Sequence, residues 1–213
     1  MRLGARINPY GMTERVRNVS LLLELEQGVP PATISTSGLF SDIAAQTPAP
    51  GLIPYSVYAE LWSDVAYKTR FLALPGEADV EFSRDEFWHF PANTVLVKNF
   101  YLEFTKGDPA SRQIVETRFV AKVGTSEEWR GVRYMWNDDA SDAVLLRDRE
   151  TLAFFIEDPE AEGGFAEQST CFSALKITSY VIPKLLGGSW DCKRRRSIAY
   201  AIKTAPWITS SMH

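Results

Sequence analysis

From Thr94 to Phe104 the chain reads TVLVKNFYLEF, a β-branched and aromatic run that follows a turn at Pro91, Ala92 and Asn93 and predicts one long strand. Alternate positions put Thr94, Leu96, Lys98, Phe100, Leu102 and Phe104 on one face, so a lysine stands in the middle of a mostly apolar row. A second run, Ile114 to Val123, places Val115, Thr117, Phe119, Ala121 and Val123 on the cleaner apolar face, and Ile114, Glu116, Arg118, Val120 and Lys122 on the other. With Gly107-Asp108-Pro109 as the turn between them, the two runs predict a hairpin at the centre of a sheet. Shorter runs predict strands near Arg70 to Leu74, Val80 to Ser83, Arg130 to Asn137, Ala143 to Leu146 and Thr151 to Ile156. Such short, punctuated segments predict an all-β domain over residues 51–168, an antiparallel β-sandwich, which the polar loop Glu157 to Gly164 brings to its end.

Residues 1–50 are rich in Pro, Gly, Ser and Thr and predict an extended arm. Within it Val19 to Glu26 resembles a short helix, and Ser41 or Asp42 is placed to cap a helical turn over Ile43 to Ala45. Pro48, Pro50 and Pro54 then hold the backbone extended. Residues 169–213 are expected to form an irregular tail.

The 213 residues, 45% hydrophobic and 23% charged, suffice for a real core in one domain. A net charge of −4 and a pI near 5.3 argue against a nucleic-acid partner, which would need a dense basic surface. No apolar run reaches the roughly 18 residues of a membrane span. Leu21 to Leu25 is short and broken by Glu24, so no secretory leader is visible, which implies either a cytoplasmic protein or a start other than the true one. Cys171, Cys192, His89 and His213 match no metal or redox spacing. Phosphate loops, nucleophile elbows and H-E-x-x-H are absent as well.

Lys98 has two readings. In the plainer one it snorkels to the sheet edge or pairs with a carboxylate on the next strand, where Glu116 is the available partner beside Arg118. In the sharper one it is a buried cation that organises a site. Trp62 and Asp64, one residue apart, set an aromatic face beside a carboxylate, as carbohydrate sites do. The plainer reading of that pair is an indole packed over the core and an aspartate capping a turn. With Trp136 and Asn137 it makes up the alternative function, a carbohydrate-binding sandwich module. Asn137-Asp138-Asp139 has oxygens suited to Ca²⁺, but its spacing matches no calcium loop, and a solvated turn is the expectation. A third reading, a hydrolase using Asp64 or Glu116, lacks any spacing that selects two carboxylates.

Several segments, in order and spacing, carry a resemblance: Gly51-Leu52-Ile53-Pro54-Tyr55-Ser56-Val57, Leu61-Trp62-Ser63-Asp64, Ala66-Tyr67-Lys68, Phe90-Pro91 with Thr94-Val95-Leu96-Val97-Lys98, Glu116-Thr117-Arg118, Tyr134-Met135-Trp136-Asn137 and Asp142-Ala143. Together they resemble the N-terminal region of a family of bacterial secreted diheme c-type cytochromes, found with or fused to pyrroloquinoline-quinone-dependent sugar dehydrogenases. The likeness runs from about Ser35 to about Gln168, with Asn8-Pro9-Tyr10-Gly11 as an outlier. It implies a non-catalytic β domain of a periplasmic or secreted electron-transfer protein, partnered by a haem domain or by the dehydrogenase. Intact relatives are expected to hold haem c, whereas this chain has no C-x-x-C-H to attach one and is expected to be a fragment without a cofactor of its own. Residues after Gln168 depart from the family. Codons can be chosen so that Val181 to Arg196, read one base out of frame from within Tyr180, give CHSKAAGWVLGLQTAQ, which resembles the family from its second haem cysteine onward. The tail is therefore expected to be out of frame or divergent.

Overall fold

The computed structural model describes residues 29–57, 66–76, 78–81, 88–124, 129–147 and 150–172. The expected helix at Val19 to Glu26, the Trp62–Asp64 pair and the tail beyond Phe172 lie outside them. The described residues form ten strands and no α-helix: β1 (Phe40–Asp42), β2 (Thr47–Pro48), β3 (Ile53–Pro54), β4 (Tyr67–Ala73), β5 (Val95–Glu103), β6 (Arg112–Lys122), β7 (Trp129–Trp136), β8 (Ala143–Leu145), β9 (Glu150–Glu157) and β10 (Phe165–Phe172). No helix among them is long and apolar enough to cross a membrane.

Strands β3 to β8 lie in sequence order in one six-stranded sheet, every pair antiparallel. The predicted hairpin of β5 and β6 occupies its middle. Gly107, at φ +80°, supplies the left-handed residue of the connection, and the Asp108 carboxylate accepts the Ala110 N–H at 2.9 Å. Both faces of the sheet are buried. The first carries Ala73, Val95, Val97, Phe119, Ala121, Tyr134, Trp136 and Ala143, covered by Ile34 and Leu39 from the N-terminal arm. The second carries Leu72, Leu96 and Val120 against Phe90 and Trp129, and then Phe100, Leu102 and Val115.

One expectation about β6 is corrected by a bulge. The register shifts between Phe100, opposite Glu116, and Tyr101, opposite Ile114. An extra residue in one strand reverses the facing of everything beyond it. Ile114 therefore joins the first-face core, while Val115, expected there, packs with Phe100 and Leu102 on the second.

The described part of the arm, from residue 29, lies against the sheet edge. Ala32 accepts the Leu145 N–H at 2.9 Å, and Pro31 accepts the Tyr134 hydroxyl at 2.8 Å. The expected helical turn at Ile43 to Ala45 is instead the tip of the β1–β2 ribbon. There Asp42 accepts the Ala45 N–H at 2.9 Å, and Thr47-Pro48 returns the chain to extended backbone. Near Val80, the described residues show a single bridge between Glu81 and His89 in place of a strand.

The loop at Glu157 to Gly164 does not end the β region. Gly163 and Gly164, at φ +82° and +79°, turn the chain back on itself, and β10 pairs with β9 across eight positions without a shift. β10 thus runs through the expected boundary at residue 168 and on to Phe172. The ribbon is tied to the β5–β6 hairpin by Glu157, whose N–H reaches Phe104 and whose carbonyl takes the Lys106 N–H, each at 2.8 Å. Lys106 Nζ adds ion pairs to Asp158 and Glu160, both 2.8 Å. These bonds, with the Glu160 N–H on Asp158, hold the Asp158 carboxyl below its ordinary range.

Candidate functional site

The central strands carry a charged row on the second face. Across β4, β5, β6 and β7, Arg70 lies opposite Lys98, Lys98 opposite Arg118, and Arg118 opposite Arg133. Four cations thus share one cross-strand row, with Lys68 on the same face of β4 two residues from Arg70. Lys68, Arg70 and Arg133 are all buried, between 4% and 8% exposed. Like charges directly opposite one another repel, so the row requires negative charge close by.

Glu116 supplies it from within the sheet. Only 2% exposed, it accepts two bonds from Arg118, Nε at 2.6 Å and Nη2 at 2.8 Å, and lies 3.5 Å from Nε of Arg133. Glu116, the partner available to Lys98 across the hairpin, is not directly opposed to it. Register puts Phe100, and not Lys98, opposite Glu116. Arg118, two residues along on the same face, brings a planar fork that fits both carboxylate oxygens where an ammonium offers a point charge. The Lys98 ammonium lies 5.0 Å from the centroid of the Phe100 ring, which also takes the Arg118 guanidinium at 4.3 Å. Tyr55 packs at the margin of this face, against the Leu72 and Phe90 cluster. Burial pushes its phenol well above the ordinary value, and the Arg70 charge opposes that rise.

A second network crosses the same strands on the other face. The Trp136 indole donates to Thr117 at 2.9 Å, Thr117 to the Asn99 oxygen at 2.8 Å, and the Asn99 amide to Thr69 at 3.2 Å. Trp136 also meets Phe40 edge to face at 6.0 Å. At 6% exposure it is a core residue whose polar atom is satisfied inside. Asn137 serves the turn after β7: its amide donates to Ser141 at 2.8 Å, and its oxygen accepts the Asp142 N–H at 3.1 Å. Bonds from Ser141 hold the exposed Asp139 carboxyl below its ordinary range. Among the described residues no group of three or more His, Cys, Asp or Glu is placed to hold a metal ion.

Of the residues singled out from sequence, the fold therefore brings Lys98, Glu116 and Arg118 together and sets Trp136 and Asn137 apart from them. Trp62 and Asp64 lie outside the described residues. Sequence reasoning missed Lys68, Arg70 and Arg133. Their signal is alternation, since each sits at a polar position of its own strand, but only register lines them up.

No protein-family model, curated protein or solved structure matches the chain.

The donors also fail to fit haem c. Among the described residues Cys171 lies on β10 and His89 in the Glu81 bridge, with no second cysteine and no C-x-x-C-H spacing.

Proposed function

We propose that this chain is a non-catalytic β domain of a periplasmic electron-transfer protein of the c-type cytochrome kind, a fragment without the haem sites. Its role is to pack beside a haem-bearing domain or to dock the sugar dehydrogenase that reduces it. The observation that carries this reading is where the resembling segments fall. Tyr67-Lys68, Val95 to Lys98, Glu116-Thr117-Arg118 and Tyr134 to Trp136 sit on four adjacent strands and contribute to both cross-strand networks. The resembling positions supply Lys98, Glu116 and Arg118 to the charged row and Thr117 and Trp136 to the polar chain, which Arg70, Arg133, Asn99 and Thr69 complete from the same strands; both are scaffold features rather than reacting groups.

The sandwich arrangement belongs to the same proposal. What supports it is the contact of Phe154 of β9 with Phe104, edge to face at 6.2 Å, beside Phe100 and Leu102. The carbohydrate alternative is weaker, because Trp136 is part of the core.

The coding DNA tests the proposal. A shifted frame across residues 170 to 213 that encodes C-x-x-C-H followed by further open sequence is the expected result; stop codons, or no C-H-S, would overturn it.

A further inference from the structure

The outer face of the β9–β10 ribbon is a checkerboard of aromatic rings and carboxylates. Phe155 lies opposite Glu167, and Phe165 opposite Glu157, so all four side chains share one face and the two rings stand diagonally across it. Phe155 is 62% exposed and Phe165 55%. The alternate residues turn the other way, where Phe154 meets Phe104. Both carboxylates are positioned by hydroxyls that leave their charge in place: Glu157 accepts from Thr105 at 3.0 Å, and Glu167 from Ser169 at 2.9 Å. A two-stranded ribbon is marginal in water unless its apolar side chains find cover.

The chain carries the complementary chemistry directly after β10. Residues 173–213 hold seven lysines and arginines against one aspartate, a net +6, which leaves −10 for the first 172 residues out of the chain total of −4. Four of the seven are consecutive, Lys193 to Arg196. Their spacing from the ribbon also fits. Twenty residues separate Phe172 from Lys193, and a coil of twenty residues spans about 25 Å. From the end of β10 back to Phe165 is roughly 24 Å of strand. A tether whose span matches the distance to its site gives the highest effective concentration there. A second copy of the ribbon would instead set glutamates against glutamates.

We propose that the outer face of the ribbon is a docking surface for the chain's own basic segment, Lys193 to Arg196, whose guanidinium groups lie over Phe155 and Phe165 and pair with Glu157 and Glu167. An outside partner that uses this face then has to displace the segment. The inference concerns the residues this chain carries, whether or not a shifted frame encodes a haem motif, and is independent of the electron-transfer reading.

Limited trypsin digestion of the full chain, followed by mass spectrometry, tests it against a synthetic peptide of residues 186–203 in the same buffers. At about 20 mM salt, cleavage within Lys193 to Arg196 is expected to be about tenfold slower in the chain than in the peptide, and at about 500 mM salt that protection is expected to fall away. It should be lost at low salt in Phe155→Ser and in Glu167→Lys, both exposed substitutions, with urea melts that stay cooperative. A chain cut as fast as the peptide, or protection unchanged in either variant, overturns the proposal. Protection that rises with chain concentration also overturns it, because the occupant is then a second copy.

Discussion

Glu116 and Arg118, two residues apart on one strand, close a two-point ion pair of 2.6 and 2.8 Å on a sheet face where the glutamate is 2% exposed. Residues at i and i+2 point the same way from a strand, so the pair forms without help from register. Register then decides what surrounds it. Arg133 comes within 3.5 Å from one side, and Lys98 stands opposite Arg118 on the other.

The glutamate is therefore the hub of the row. Glu116→Gln keeps the shape, removes the charge and leaves Arg118 and Arg133 facing a neutral amide beside two further cations. Breaking a buried pair in this way costs about 3–5 kcal/mol. A urea melt measures it, and a loss below about 1 kcal/mol would show that the hub carries little of the fold.

Lys98→Met is expected to behave differently. The ammonium sits over Phe100 and faces Arg70 and Arg118, while Glu116 is held by two arginines. Methionine keeps a long apolar stem and a sulfur that packs well against an aromatic ring, and it relieves like-charge repulsion. The expected loss is smaller than that of Glu116→Gln, which removes the carboxylate that two arginines share. A urea midpoint shifted as far as that of Glu116→Gln would show that Lys98 shares in balancing the carboxylate.

On the opposite face, Thr117 both accepts from Trp136 and donates to Asn99. Thr117→Val is nearly isosteric and strands both partners inside the core, at about 1–3 kcal/mol for each orphaned group. Thr117→Ser keeps the hydroxyl and should lose much less. A double-mutant cycle of Thr117→Val with Trp136→Phe should be clearly non-additive, because the two residues share one bond; additive losses would mean that the bond contributes nothing.

The long hairpin was legible because its alternation is strict and Gly107-Asp108-Pro109 marks the turn. That also placed Lys98 among Leu96, Phe100 and Leu102 correctly. Partners were not legible, since pairing depends on register, and the bulge at Phe100/Tyr101 shifts the β6 register in a way no local pattern announces. The charged row stayed hidden for the same reason, its members lying on four strands. β10 was missed because FAEQSTCF is too polar to stand out, and Gly163-Gly164 read as the end of a domain rather than a reversal. Trp136 stood among the candidates of the carbohydrate reading because nothing local reveals that Thr117 satisfies its indole.

Alkaline pH should weaken the fold through Tyr55. Burial raises this phenol above its ordinary value, so the folded chain keeps a proton that the unfolded chain releases near pH 10. Its contribution is complete below the unfolded value and declines as pH rises from there toward the folded one. Above pH 10 the slope approaches a loss of about 1.4 kcal/mol per pH unit, the value for one proton. Tyr55→Phe cannot titrate, so urea melts between pH 8 and about 11.5 should show the variant losing stability less steeply than wild type only above about pH 10. Parallel curves over the whole range would mean that the Tyr55 phenol ionises as readily in the folded chain as in the unfolded one.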